Sequence, residues 1–444
     1  MSRPAFTRRA FLSAAACGTA ATLLPTPHLM AASKPFRTGE RITGRKLNIA
    51  SVGCGGQGGH DIGNFAGENV VALCDVDFAR AAGSFKRFPD AKRFRDYREM
   101  LTEMDEQIDA VQVSTPDHTH FPVAMMAIEM GKHVYVQKPV AHTVTEARLL
   151  AEAARKHKVI SQMGNQGHSN EGTRLVKEWV ESGVIGEVRE VHLWTNRPVW
   201  PQNIPVPEKS MPPPPTLDWN RWLGVSPFRP YNSAYMPFNW RGWWEWGCGA
   251  IGDMGCHTMD ASFWALSLGA PSRVSAEVDG GSALSCPAGS VVTYEFPSRK
   301  GMPPVTVKWF DGTKKPPRPA ALEADRPMSG SGQLYFGSKG IIMDTNDYCD
   351  SPRLIPESAM KHFARPPKTL ERVKDGHYQN WLHAIRGEAE AAVSNFDYAG
   401  PLSEMALLGN VAVRAGVPFN WDAKSLRCDR PEAQAFIDKT YRMF

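Results

Sequence analysis

Cysteine is scarce in this chain and follows no pattern. Eight residues in 444 form no C-x-x-C pair and show no regular spacing. A disulfide framework is therefore not what organises the fold, and buried free thiols are the expected state. Acidic residues are missing altogether from the first 32 positions, "MSRPAFTRRAFLSAAACGTAATLLPTPHLMAA". Beyond them no apolar run approaches the ~20 residues that a bilayer span needs. A basic patch is lacking too. Three of the 51 basic side chains fall in that opening segment, and the rest nearly balance 46 acidic ones, so nothing argues for nucleic acid. With 42% hydrophobic and 22% charged residues, the composition is that of an ordinary soluble protein, and its length predicts two domains.

The opening segment is an address. "TRRAFL" sets Arg8 and Arg9 before an apolar run from Ala10 to Leu24, and "HLMAAS" offers small residues to a signal peptidase. This pattern reads as a twin-arginine export signal over 1–33, with a linker over 34–45. A retained anchor needs a longer run than this one. Twin-arginine export carries folded proteins, which suits a chain that loads its cofactor in the cytoplasm and works in the periplasm or beyond.

"KLNIASVGCGGQGGH" is a short apolar strand running into glycines. Gly53, Gly55 and Gly58, with Gln57 among them, fit G-x-G-x-x-G, whose glycines permit a tight turn and a close backbone approach to a diphosphate. Alone the pattern is weak. It gains from "NVVALCDVD", a second strand ending at Asp75, where a carboxylate can accept both ribose hydroxyls and would repel a 2′-phosphate. That favours NAD, with NADP as the alternative. Further strands close at "VSTPDHTH", "VYVQKPV" and "VISQMGNQ", with helical stretches between them. The alternation predicts a doubly wound parallel sheet over 46–167. Asp75, Thr115, Pro116, Lys138, Asn165 and Gln166 then cluster at or beyond carboxyl ends of strands, where such sheets bind ligands.

The remainder, 168–444, changes character. Prolines break regular structure through "NRPVWPQNIPVPEKSMPPPPTLDW", and eight of the 13 tryptophans lie between Trp194 and Trp246. Trp243, Trp244 and Trp246 either offer faces to a sugar or plug a core or subunit interface. "RVSAEVDG", "SVVTYEF" and "VTVKWFDG" alternate as antiparallel strands. Between lies "GDMGCHTMD", whose Asp253 and His257 share a face if the segment is helical. The pair fits a structural contact, a general base with its supporting acid, or two metal ligands joined by His118 and His120. The last option lacks a compact ligand set, and no metal is expected.

Taken together, the glycine loop, "STPDHTH", "VQKPVAHT" and "GDMGCHTMD" resemble the Gfo/Idh/MocA oxidoreductases, over roughly residues 46 to 415. The resemblance implies a Rossmann domain followed by an α+β domain built on a large, open, mainly antiparallel sheet. It also implies a tightly bound nicotinamide dinucleotide contacted by the glycine loop, Asp75, Thr115, Pro116, His120, Lys138 and Gln166. A sugar, glycoside or polyol would lie among Lys138, Asn165, Trp243, Asp253, His257 and Tyr378. In that scheme His257 takes the hydroxyl proton, Asp253 orients the imidazole, and Lys138 donates to the reacting oxygen. His377 is a further, weaker candidate. One departure is visible: many members carry Glu-Lys-Pro, and here Gln137 precedes the lysine. Three functions remain open: a CH–OH dehydrogenase, a glycosidase that oxidises transiently and recycles its cofactor, and a non-catalytic sensor. An exposed sheet face predicts a dimer or tetramer.

Overall fold

The computed structural model describes residues 36–444. The export segment read at 1–33 lies outside the described residues. The first domain is a six-stranded parallel sheet of β1 (Asn48–Val52), β2 (Asn69–Cys74), β3 (Lys92–Phe94), β4 (Ala110–Val113), β5 (His133–Val136) and β6 (Ser161–Met163), in the order β3-β2-β1-β4-β5-β6. Every residue of β4 and β5 is buried, as strands covered on both faces require. The strand order reverses between β1 and β4, and the crevice at such a reversal is where these sheets take ligands. Helix starts are well marked. Asp77 caps the helix Phe78–Arg87, and Thr143 with Glu146 forms a capping box on Val144–Lys156.

One covering layer comes from far along the chain. The helix Gly376–Arg386 buries Trp381, Leu382 and Ile385 in the same cluster as Leu47, Ile49 and Tyr135. Residues 36–45 run over this domain, with Arg37 paired to Asp105 at 2.6 Å and the Ile42 amide donating to the Ile385 carbonyl at 3.1 Å.

The second domain carries β7 (Val188–Trp194), β8 (Arg273–Asp279), β9 (Gly289–Phe296), β10 (Val305–Gly312), β11 (Gly332–Gly337), β12 (Ile341–Asp344), β13 (Arg353–Ile355), β14 (Phe419–Asp422) and β15 (Arg427–Cys428). They form one sheet ordered β13-β12-β11-β7-β10-β9-β8-β14-β15, in which only β7 and β10 pair in parallel. The helices Gly249–Thr258 and Phe396–Ala415 pack together over it, and glycines set the spacing. A Cβ on Gly255 would stand 3.2 Å from the Ala406 Cβ, and one on Gly409 would stand 2.1 Å from the Tyr294 hydroxyl. The glycine between Asp253 and His257 thus lets the helix that presents them lie close against its neighbour.

All eight tryptophans from Trp194 to Trp246 are buried, none more than 7% exposed. Trp219 and Trp222 stack at 4.7 Å, with Trp246 edge-on to both. The tryptophan-rich stretch is mainly a core. Among the described residues no helix is long and apolar enough to cross a membrane.

Candidate active site

The glycine loop follows β1 directly. Gly53 has φ +75°, and a Cβ there would meet the Ser114 carbonyl oxygen at 2.7 Å; a Cβ on Gly58 would meet the Gly53 carbonyl oxygen at 1.7 Å. No side chain can be accommodated at either position without moving backbone. The turn lines a cleft of about 540 Å³ that continues past Asp75, Thr115, Pro116 and His120 to Lys138, Asp253 and His257. Gly53, Gly55, Gln57 and Gln166 line it as well. Gly58 supports the turn from behind. The Thr115 Oγ1 is buried there without a partner, and Arg80 packs its guanidinium over Gly56. A backbone cradle that Cβ atoms would fill, an orphaned hydroxyl and a nearby cation together fit a dinucleotide diphosphate.

Asp75 does more than face a ribose. Its Oδ2 accepts from the Cys54 and Gly55 amides at 2.9 and 3.1 Å, and its Oδ1 accepts from the Asp77 amide at 2.9 Å. The side chain therefore braces the glycine turn. Burial raises its carboxyl pKa, and those three amides partly offset the rise.

At the other end, two distant segments converge. Lys138, two residues past β5, donates from Nζ to Asp253 Oδ1 at 3.0 Å, an ion pair joining positions 115 residues apart. The Arg241 Nε reaches the same oxygen at 3.2 Å, and the Arg197 Nε stands 3.7 Å from Oδ2. Burial alone would raise the Asp253 carboxyl, but Lys138 and Arg241 outweigh it and hold the pKa below its ordinary value. Asp253 is accordingly an anion at neutral pH.

Asp253 makes no hydrogen bond to His257, in contrast to the orienting role implied by the resemblance. The two share a helix face, but the carboxylate is turned to the cations. The imidazole is 5% exposed, packs on Tyr348 with ring centres 4.8 Å apart, and leaves its Nδ1 without a partner. Burial, reinforced by Lys138, lowers its pKa to about 3. It is neutral across the physiological range.

Other candidates sit elsewhere. Asn165 is fully buried, and its Oδ1 accepts from Ser394 Oγ at 2.5 Å. Trp243 lies edge-on to Tyr235 in the aromatic core. Tyr378 stacks on Tyr135 and donates to Asp61 Oδ1 at 2.7 Å. None of the three lines the cleft. His120 does, with its ring nitrogens against the Pro139 and Thr115 carbonyls at 2.8 and 2.7 Å, so it tethers the Lys-Pro turn to the Thr115 turn. His118 contacts the Trp222 carbonyl at 3.0 Å, and His377 the Met163 carbonyl at 2.7 Å. Among the described residues no group of three or more His, Cys, Asp or Glu side chains is placed to hold a metal. The seven described cysteines are free thiols.

Several cleft-side residues escaped the sequence reading. Arg197 and Arg241 were hidden among proline and tryptophan, and a cation embedded in "NWRGWW" was the available signal. Tyr348, beside His257, had none. Asp61 lies beneath the cleft, fully buried, and collects donors from Gln57 (2.7 Å), Tyr378 (2.7 Å), Ser114 (2.6 Å) and Gln137 (2.9 Å). Its signal was the neutral residue at 137, whose amide is one of the donors to Asp61.

Comparison with known proteins agrees with this architecture. Residues 47–165 match the oxidoreductase family model for the NAD-binding Rossmann fold, and residues 170–296 match that family's C-terminal α/β domain. Inositol 2-dehydrogenase of Salmonella typhimurium is 30% identical over 129 residues, 29% of this chain and 38% of that protein. A glycosyl hydrolase family 109 protein of Shewanella sp. W3-18-1 is 30% identical over 204 residues, 41% of this chain and 44% of that protein. The chain thus matches less than half the length of these relatives. In fold, the WlbA dehydrogenase of Bordetella pertussis, solved with NADH and UDP-GlcNAcA, superposes with TM-score 0.60 at 19% identity, covering 85% of this chain and 99% of that one. An inositol dehydrogenase homologue of Azotobacter vinelandii, solved with NADH and myo-inositol, gives 0.59 at 17% identity, covering 87% and 100%. With both family models in chain order over more than half its length, a glycine turn built for a diphosphate and a sheet pair of this topology, the chain belongs to the Gfo/Idh/MocA oxidoreductase family.

Proposed function

We propose that this protein is an NAD-dependent oxidoreductase acting on a CH–OH carbon of a sugar, glycoside or polyol. One observation carries the reading: the Lys138 ammonium and the His257 imidazole, from opposite domains, line the same cleft as the glycine turn. The dinucleotide would lie along Gly53, Gly55, Gln57, Asp75, Thr115 and Pro116 and accept hydride from the carbinol carbon. His257, neutral and lining the cleft, takes the hydroxyl proton. Lys138 donates to the oxygen on which negative charge grows. Asp253, kept ionised by its cations, stabilises the imidazolium electrostatically across one helical turn. It also gives Lys138 a resting partner that the arginines can replace.

The family 109 relatives support a second reading. A transient oxidation that acidifies the neighbouring C–H, followed by elimination of the aglycone, addition of water across the resulting double bond and re-reduction of the ketone, would hydrolyse a glycoside with no net change in cofactor. Such a cycle suits a protein that leaves the cytoplasm with its dinucleotide bound. Purified protein assayed with inositols, hexoses and aryl glycosides separates the two. NADH accumulating with a ketone supports the dehydrogenase; aglycone release without NADH supports the glycosidase. Ligand binding without turnover would favour a sensor. Full activity in both Lys138→Ala and His257→Ala would refute the site. The export reading predicts periplasmic fractionation that is lost in an Arg8→Lys/Arg9→Lys variant. The oligomer reading predicts a dimer or tetramer by light scattering.

A further inference from the structure

The cleft holds more positive charge at its reacting end than the proposed chemistry uses. Asp253 is one carboxylate, already bonded to Lys138 at 3.0 Å, yet two guanidinium groups from separate segments converge on it as well. Arg241 stands between the Phe238 and Trp240 rings, with its Cζ 4.6 and 4.3 Å from their centres. Its Nη1 donates to the Phe238 carbonyl at 3.4 Å. Arg197 is braced through Nη1 by the Asn196 side chain. The Nη2 groups of both make no hydrogen bond among the described residues, and both side chains line the cleft beside His257.

Two further acids, Asp117 near Arg241 and Asp347 near Arg197, offset part of this charge, but among the described residues neither hydrogen-bonds a guanidinium. Asp117, the next acid in the lining, is buried and accepts from the Cys248 amide at 3.0 Å. Arg221 is paired with Asp218 and Asp96. Arg95 donates to the Val76 and Thr216 carbonyls. The dinucleotide's own diphosphate belongs to the glycine turn, where Arg80 stands. Holding cations beside the base also has a cost, since Lys138 and Arg197 both disfavour the imidazolium. A neutral substrate gives nothing back against that cost, whereas an anion would offset it.

We propose that the substrate is an acidic sugar or glycoside, whose carboxylate or sulfate is received by the free Nη2 groups of Arg197 and Arg241. Two N–H donors on each Nη2 can bond the oxygens of either a planar or a tetrahedral oxyanion. This inference rests on the carbinol-oxidation reading above and adds the chemical class of the substrate.

The test compares hexuronates (gluco, galacto and manno) and hexose 6-sulfates with their neutral parent hexoses. Binding to NADH-loaded protein is measured by calorimetry, and turnover of NAD-loaded protein by NADH absorbance. At least one acid is expected to bind about tenfold or more tightly than its parent, and more weakly at high salt. Arg197→Gln and Arg241→Gln should each cut that acid-to-neutral ratio by about 10- to 100-fold. Melting curves and retained NADH binding confirm that the variants fold. Whether the uronate or the sulfate arm responds identifies the anion. Equal or better binding of the neutral parents, or a ratio unchanged in both variants, overturns the proposal. Arginine-dependent binding of an acid without NADH formation from any compound leaves the anion site standing and refutes the dehydrogenase reading. Turnover confined to neutral sugars does the reverse.

Discussion

Lys138→Met separates the two jobs that the structure gives this lysine. One job is structural, as counter-ion to Asp253 at 3.0 Å. Stripping a buried carboxylate of its sole partner costs about 3–5 kcal/mol. Here Arg241 stays at 3.2 Å and Arg197 at 3.7 Å, and the aspartate side chain keeps 12% exposure. The expected destabilisation is therefore only about 1–2 kcal/mol, the scale of one charge-assisted hydrogen bond, and a shift of a few degrees in Tm. The other job is donation to the oxygen that becomes negative. Losing such a donor lowers kcat by roughly 10²–10³, or about 2.7–4 kcal/mol. Calorimetric melts and single-turnover NADH formation at saturating NAD read the two quantities independently. Lys138→Arg sharpens the comparison. It should restore Tm, since the charge returns, while leaving kcat low, because a planar fork does not place its donors where an ammonium does. Near-normal kcat in Lys138→Met together with the small Tm shift would show that Lys138 merely neutralises Asp253, and the mechanism would fall.

Three further outcomes are expected. Gly58→Ala should abolish retention of nicotinamide dinucleotide, measured by chromatography of the denatured protein, because its Cβ would sit 1.7 Å from the Gly53 carbonyl; normal cofactor content would refute the turn's role. Stability should fall as the pH drops below about 6.5. His118 and His257 are held at about 3 and His377 at about 4, chiefly by burial. The unfolded chain therefore binds more protons in that window, the full contribution is present above 6.5, and the limiting slope is about 1.4 kcal/mol per pH unit per histidine. Equal urea midpoints at pH 7 and pH 5 would contradict this. Gln137→Glu, which restores the commoner Glu-Lys-Pro, should destabilise the chain by roughly 2 kcal/mol or more, since it sets a second carboxylate against buried Asp61. Adding Asp61→Asn should recover most of the loss; equal stability of Gln137→Glu and the parent protein would show that buried Asp61 does not depend on a neutral donor at 137.

The first domain was legible because its signals are local. An apolar strand, a glycine turn and a following helix occupy "KLNIASVGCGGQGGHDIGN", and each later strand-to-helix step repeats the alternation within a few residues. The short β3 went unread, since Lys92, Arg93 and Phe94 have no apolar run to announce them. The return of Gly376–Arg386 to cover the first sheet was also hidden. A helix states which of its faces is apolar, but not which sheet, hundreds of residues upstream, will bury it. The tryptophans show the same limit. Their number is in the composition, but whether Trp243 faces a ligand or Tyr235 depends on how the irregular segment between β7 and the helix Gly249–Thr258 folds back on itself.

The site divides along the same line. Residue types and spacing brought Lys138, Asp253 and His257 into consideration, because an i, i+4 pair on a helix must share a face. Spacing says nothing about which neighbour each side chain chooses. On an isolated helix the nearest cation for Asp253 would be a protonated His257; in the folded protein it is Lys138 with two arginines, and electrostatics follows proximity. The choice has a chemical consequence. Had Asp253 bonded the imidazole, it would have raised the histidine's basicity and kept the proton shared between them. Turned to the cations, it remains ionised while the histidine stays neutral, so both groups are held deprotonated one turn apart, the first as an anion and the second as an uncharged base. Such a pair is divided into a fixed charge and a proton acceptor. What divides it is the convergence of Arg197, Arg241 and Lys138 from three separate segments, which no window of sequence contains.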